Sequence, residues 1–232
     1  MEAGESLRYR VLAGGGPILL DFDGPICSIF ATYPAPAVAD RLRAVLQAHG
    51  ARVNGAAVSD PDPLEVLRWS ATLGSDSIVR SVEDALREAE IHAASGADPT
   101  PFSRETILAA YRAGRLVGIA SNNSADAIER YLTSQRLRSY VGPVIGRAPY
   151  VPQKMKPDPS SILAALSAAG GAASAAVYVG DSLTDIAAAH AAGMPVVAYA
   201  NRPGKAERFT EARADAVVAS MGEIATALAA RG

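Results

Sequence analysis

The stretch "AAVYVGDSLTDIAAAHAAGMPVVAY", residues 175–199, decides the fold. It opens on a short apolar run, "AAVYVGD" (175–181), which reads as a buried strand. A helical pattern follows from Leu183 to Ala192, and "MPVVAY" (194–199) reads as a second strand. The same alternation extends in both directions. "RLVGIAS" (115–121) and "DAVVAS" (215–220) are further strands, with "YVGPVIG" (140–146) a shorter one. Helices are expected over Ser124 to Leu137, Pro159 to Ala169, Gly204 to Ala212 and Gly222 to Ala230. Strands alternating with helices imply crossover units and a parallel sheet covered by helices on both faces.

Near the start, "GPILLDF" (16–22) supplies one more strand of that sheet, and then the rhythm breaks. Between about residues 33 and 100 no strand is expected. Val38, Leu42, Val45, Leu46 and His49 fall on one helical face, and Ile78, Val82, Ala85, Leu86 and Ala89 on another. In "DPDPLEVLRW", Asp62 is placed to cap a helix and Pro63 to begin it. The expected class is therefore α/β: a Rossmann-like parallel-sheet core of residues 1–32 and 101–232, with a helical cap of residues 33–100 inserted after the first strand. "YPAP" (33–36) and "ASGADPTPFS" (94–103) serve as the outgoing and returning hinges.

Composition narrows the function. The 232 residues are 49% hydrophobic and 20% charged, with a formal net charge of −2 and no block of Lys or Arg. That balance argues against nucleic acid or an anionic membrane as the main partner. No apolar run reaches the roughly 18 residues of a membrane span, and "MEAGESLRYRVLAGGG" lacks the apolar core of a signal peptide. A cytoplasmic protein is expected. Its single cysteine, Cys27, reads as a small buried hydrophobe, and His49, His92 and His190 form no metal-ligand pattern.

Ligands of open parallel sheets bind beyond the carboxyl ends of the strands. Those ends carry a consistent set: "DFDG" (21–24), "SNN" (121–123) and "VGDSLTD" (179–185), with "KMKPDP" (154–159) between the last two. Two aspartates one residue apart each raise the cost of ionising the other. A positive partner or a retained proton must relieve them.

In this order the four motifs resemble those of the haloacid dehalogenase superfamily, in its phosphoglycolate phosphatase-like subgroup with a helical cap. The resemblance implies an aspartyl-phosphate mechanism, with Asp21 as nucleophile and Asp23 as general acid and then base. It assigns Ser121 and the Asn122 amide group to phosphate. Lys156 neutralises the nucleophile and the phosphoryl group, with Lys154 the less favoured candidate. Pro25 stands where the family carries Thr or Val, which leaves the amides of Phe22 and Asp23 for phosphate. Mg2+ would be held by Asp21, the Asp23 carbonyl and Asp181, with Asp185 steadying the shell from behind.

Asp23 favours phosphoryl transfer over dehalogenation, because a halide needs no acid to leave. A Schiff-base lysine is absent from residues 33–100, which contain no lysine. The expectation is a Mg2+-dependent phosphatase for a small phosphorylated metabolite. A sugar-phosphate mutase of the same superfamily and a non-catalytic receiver-like module are the alternatives, and a cap-to-cap homodimer is left open. Tyr33, Arg68 and Trp69 are the cap residues expected to meet substrate.

Overall fold

The computed structural model describes residues 15–53 and 60–230. Its centre is a sheet of six parallel strands: β1 (Ile18–Leu20), β4 (Val117–Ala120), β5 (Val144–Ile145), β6 (Val177–Gly180), β7 (Val196–Tyr199) and β8 (Ala216–Val218). Their order across the sheet is β5-β4-β1-β6-β7-β8. β1 is central, with Leu19 in register with Gly118 of β4 and Tyr178 of β6. The middle strands are buried on both faces, and this is why they read as unbroken apolar runs instead of alternating ones.

Alternate residues feed two cores. Ile18, Leu20, Ile119, Val179 and Val197 pack against α4 (Ser103–Arg112), α5 (Ala125–Ser134) and α9 (Met221–Ala229) through Ile107, Ile128 and Ile224. Leu19, Tyr178, Val196 and Ala198 face α6 (Ser160–Ala168), α7 (Leu183–Ala191) and α8 (Lys205–Glu211) through Ile162, Ile186 and Phe209. The period-two alternation of a strand thus divides one sheet between two helical layers.

After β1 the chain enters α1 (Ala35–Ala48), α2 (Pro63–Ser70) and α3 (Asp76–Ala94). They share an apolar cluster that includes Leu42, Leu46, Leu67, Val82 and Leu86, into which Met155 reaches from the loop after β5. Asp62 caps α2 as its sequence indicates, accepting from the Leu64 amide at 2.8 Å.

Two features depart from the sequence reading. Cys27–Ser28 (β2) and Asp98–Pro99 (β3) pair antiparallel, so the region before residue 100 does hold a short strand. Two residues are too few to show any period. Helix α4 begins directly behind the Gly/Pro-rich stretch, after Phe102 in a left-handed conformation (φ 64) and with no side-chain cap, so nothing in the sequence marks its start. Among the described residues no helix is long and apolar enough to cross a membrane.

Candidate active site

The loops leaving β1, β4 and β6 converge, because all three strands run parallel and end on the same edge. Asp21 follows β1, its amide bound to the Val179 carbonyl of β6 at 2.8 Å. Lys156 arrives from the loop before α6 and is almost wholly buried. Its ammonium lies 2.9 Å from Asp21 Oδ1 and 2.5 Å from Asp185 Oδ1. It also donates to the Tyr178 hydroxyl at 2.9 Å, and that hydroxyl donates to the Ala120 carbonyl at 2.7 Å.

Asp185 is fully buried and its second oxygen is equally occupied. Oδ2 accepts from the Asp181 and Ser182 amides at 3.1 and 3.0 Å, and from the Ser182 hydroxyl at 2.6 Å. Ser182, not Asp181, caps α7, and Asp185 completes a reciprocal capping box with it. Asp181 instead turns towards β1's loop. Its Oδ2 accepts from Lys205 Nζ at 2.7 Å and Asn201 Nδ2 at 2.9 Å. Gly24 (φ +97) lies against it, and a Cβ there would run into the Asp181 carboxylate. Asp21, Asp181 and Asp185 each offer an oxygen, all within 4.8 Å of one another, a group able to hold a metal ion.

The electrostatics follow from this burial. Asp21 is raised above the usual carboxylate range by burial, which the Lys156 charge opposes and the Asp185 charge reinforces. Burial likewise lifts Asp23 to about 6; the Ile29 amide on its Oδ1 opposes this, while the charges of Asp181 and Asp62 add to it. At Asp185 burial is the largest influence and pushes upward too, but the Lys156 charge together with hydrogen bonds from Lys156, Ser182 and the Asp181 amide outweighs it and holds the group below the usual range. One carboxylate of the Lys156 pair is thus kept ionised, while its neighbour retains a proton more readily.

The sequence-derived residues are brought together, with adjusted partners. Ser121 is buried and its hydroxyl bonds Asn123 Oδ1 at 3.2 Å. Asn122 lines the cleft with its carboxamide already engaged: it accepts from the Lys156 amide at 2.8 Å and donates to its carbonyl at 3.4 Å. Nor is the Phe22 amide free as expected, since it donates to Asp21 Oδ1 at 2.8 Å. The Phe22 ring is core, edge-on to Tyr131 at 5.3 Å. Lys154 is exposed and lines a different cavity.

Sequence reasoning missed a second constellation behind the Ser121 loop. Arg147, from the end of β5, is completely buried against Glu83 and Glu90 of α3, at 2.8 and 2.9 Å. It also donates to the Asn122 carbonyl at 2.6 Å. Glu90 accepts from Asn123 Nδ2 at 3.2 Å and from the Ser124 amide at 2.9 Å. The loop presenting Ser121 is therefore held from behind by a helix of the insert. The available signal was the seven-residue spacing of Glu83 and Glu90 on the face of Val82, Leu86 and Ala89, all buried.

Between the sheet edge and α1–α2 lies a cleft of about 500 Å³, which Asp21, Asp23, Ser121, Lys156 and Asp181 line from below. Tyr33, Arg68 and Trp69 do not line it. Arg68 instead reaches the Lys156 carbonyl at 2.5 Å, while Tyr33 and Trp69 pack on apolar clusters.

The family model for haloacid dehalogenase-like hydrolases matches residues 69–199, more than half of the chain. The chain belongs to that family. Its curated relatives include the phosphoglycolate phosphatase of Pseudomonas savastanoi pv. phaseolicola, 35% identical over 98 residues, which are 42% of this chain and 35% of that one. The phosphoglycolate phosphatase of Mesorhizobium japonicum is 35% identical over 100 residues, 43% of each chain. The chain thus spans less than half the length of these two relatives. A predicted phosphatase from Clostridium acetobutylicum shares the fold with a TM-score of 0.70 at 15% identity, covering 91% of this chain and 96% of that one. A predicted phosphoglycolate phosphatase from Haemophilus somnus has a TM-score of 0.64 at 18% identity, covering 93% and 98%.

Proposed function

We propose that the chain is a Mg2+-dependent phosphatase that hydrolyses a small phosphate monoester through an aspartyl-phosphate on Asp21. The observation that carries this reading is Lys156, buried between Asp21 and Asp185 beneath a cleft. A buried ammonium aimed at a carboxylate suits the transfer of a phosphoryl dianion, whose charge it offsets. The donors suit a hard divalent cation: they are carboxylate oxygens, and Gly24 keeps clear the space before Asp181 that a side chain would fill. Asp21, Asp181 and the Asp23 carbonyl would hold the ion. Asp185, its oxygens already occupied, would act by fixing Lys156 and the turn at Asp181. Bound there, Mg2+ would supply electrophilic stabilisation of phosphoryl charge.

In this reading Asp21 attacks phosphorus and the bond to the leaving oxygen breaks, while Asp23 gives that oxygen its proton. Water then attacks the aspartyl-phosphate, Asp23 takes its proton, and phosphate leaves with Asp21 restored. A carboxyl raised to about 6 serves both directions near neutral pH. Ser121 and Lys156 would contact the phosphoryl oxygens, and Asn122 would set Lys156 by clasping its backbone. Residues 33–100 act as a cap over residues 1–32 and 101–232, excluding bulk water from the cleft.

The test is phosphate release from a panel of small esters, with Mg2+ or with chelator, by wild type and Asp21→Asn. Metal-dependent release lost in the variant is expected. Full activity in Asp21→Asn would sink the mechanism.

A further inference from the structure

The roof of the cleft discriminates more sharply than its floor. It is built by Phe30, Pro36, Pro61, Asp62, Pro63 and Leu64. Three of these are prolines, which have no amide hydrogen to donate. The Leu64 amide is spent on Asp62 Oδ1. The roof therefore offers acceptors and almost no donors, and its one charge is negative. Asp62 faces the reaction centre closely enough for its charge to act on Asp23.

Among the described residues the cation in the lining is Lys156, on the floor, and its ammonium is taken up by Asp21 and Asp185. Arg68 lies near enough for its charge to act on Asp62, but its own hydrogen bonds go to Glu65 and the Lys156 carbonyl, and Lys205 is held by Asp181. Arg43 is engaged by Asp40 and the Asp60 carbonyl. Arg202 exerts its charge on Asp23 but does not line the cleft.

We propose that Asp62 selects the alcohol portion of the substrate: the protein takes phosphate monoesters of amino alcohols or polyols and rejects those whose alcohol carries a carboxylate. A hydroxyl or ammonium near the roof finds the remaining Asp62 oxygen as acceptor. A carboxylate there meets a like charge and loses its water without gaining a donor. This inference rests on the phosphatase reading above and names the substrate class within it.

The experiment compares phosphoethanolamine, glycerol phosphate and phosphoglycolate as substrates of the full chain and of Asp62→Asn, which keeps an acceptor for the Leu64 amide. Wild type is expected to favour the first two by at least tenfold in kcat/KM, and the variant to narrow that ratio about tenfold, mainly through KM. Equal or better turnover of phosphoglycolate by wild type, or an unchanged ratio in Asp62→Asn, overturns the proposal. If no ester releases phosphate, the hydrolase reading fails separately, and calorimetric titration with the same three compounds decides the preference. The same order of affinity supports it; equal affinities, or no binding, overturn it.

Discussion

Replacing Arg147 by methionine removes the guanidinium that holds two buried carboxylates. Glu83 and Glu90 are then left with net charge −2 in a region where Arg147 and Glu90 side chains have no solvent exposure at all. Breaking a buried pair costs about 3–5 kcal/mol, and two stranded acids place this change at the upper end. In a chain of this size each kcal/mol lowers Tm by about 2–4 °C, so a loss of roughly 10–20 °C is expected. Urea unfolding at pH 7, followed by circular dichroism, gives the free energy directly. A triple variant, Arg147→Met with Glu83→Leu and Glu90→Leu, should recover most of the stability, because apolar replacement of a whole buried ionic cluster is often neutral or better. It should nevertheless bind vanadate more weakly, since Asn123 and the Ser124 amide have lost Glu90. A single-variant loss below about 1 kcal/mol, or a triple variant as unstable as the single one, would refute the reasoning.

Three further outcomes can be measured. Asp23 is raised in the folded state to about 6 from 3.8, so in chelator its ionisation removes stability as pH rises across that window, by up to about 3 kcal/mol; Asp23→Asn should abolish that fall, and parallel melting curves from pH 4 to 8 would contradict it. Gly24→Ala combines a strained positive φ with a Cβ against Asp181, and should cost about 1–3 kcal/mol and most of any Mg2+-induced thermal shift; an unchanged shift would show that Asp181 is not the group constrained. Lys205→Met leaves Asp181 Oδ2 with Asn201 as its remaining side-chain donor, and calorimetry should show Mg2+ affinity lowered about 10–100-fold; tighter binding would mean that Lys205 acts by repelling the ion instead of orienting its ligand.

The sheet was legible in the sequence for a physical reason. "VGIA", "VYVG" and "VVAY" are buried on both faces, so each appears as an uninterrupted apolar run between turn residues. The residues at their ends were legible as a cluster because parallel strands end on one edge, which brings Asp21, Ser121 and Asp181 to the same cleft. What escaped depends on tertiary pairing. The ribbon of Cys27–Ser28 with Asp98–Pro99 joins segments some seventy residues apart. Arg147 meets Glu83 and Glu90 across a similar distance in the chain, and no local period links a buried arginine to acids on another element. The misplaced cap residues have the same origin. Arg68 lies on a helix that faces the site, yet only the fold shows its guanidinium turned to the Lys156 carbonyl and away from the cleft.

The burial of Arg147 also bears on how such a chain can be recombined. Helices α1–α3 lie in a single stretch of sequence, which makes them look like an interchangeable attachment. Yet Glu83 and Glu90 on α3 share one guanidinium with a loop some sixty residues downstream. A graft that brought in a foreign α3 without its matching acids would leave that guanidinium buried and uncompensated. The reverse graft would strand two carboxylates against an unfamiliar core. The insert and the loop after β5 must therefore be inherited together, and the unit of exchange in this protein is the helix plus its distant arginine.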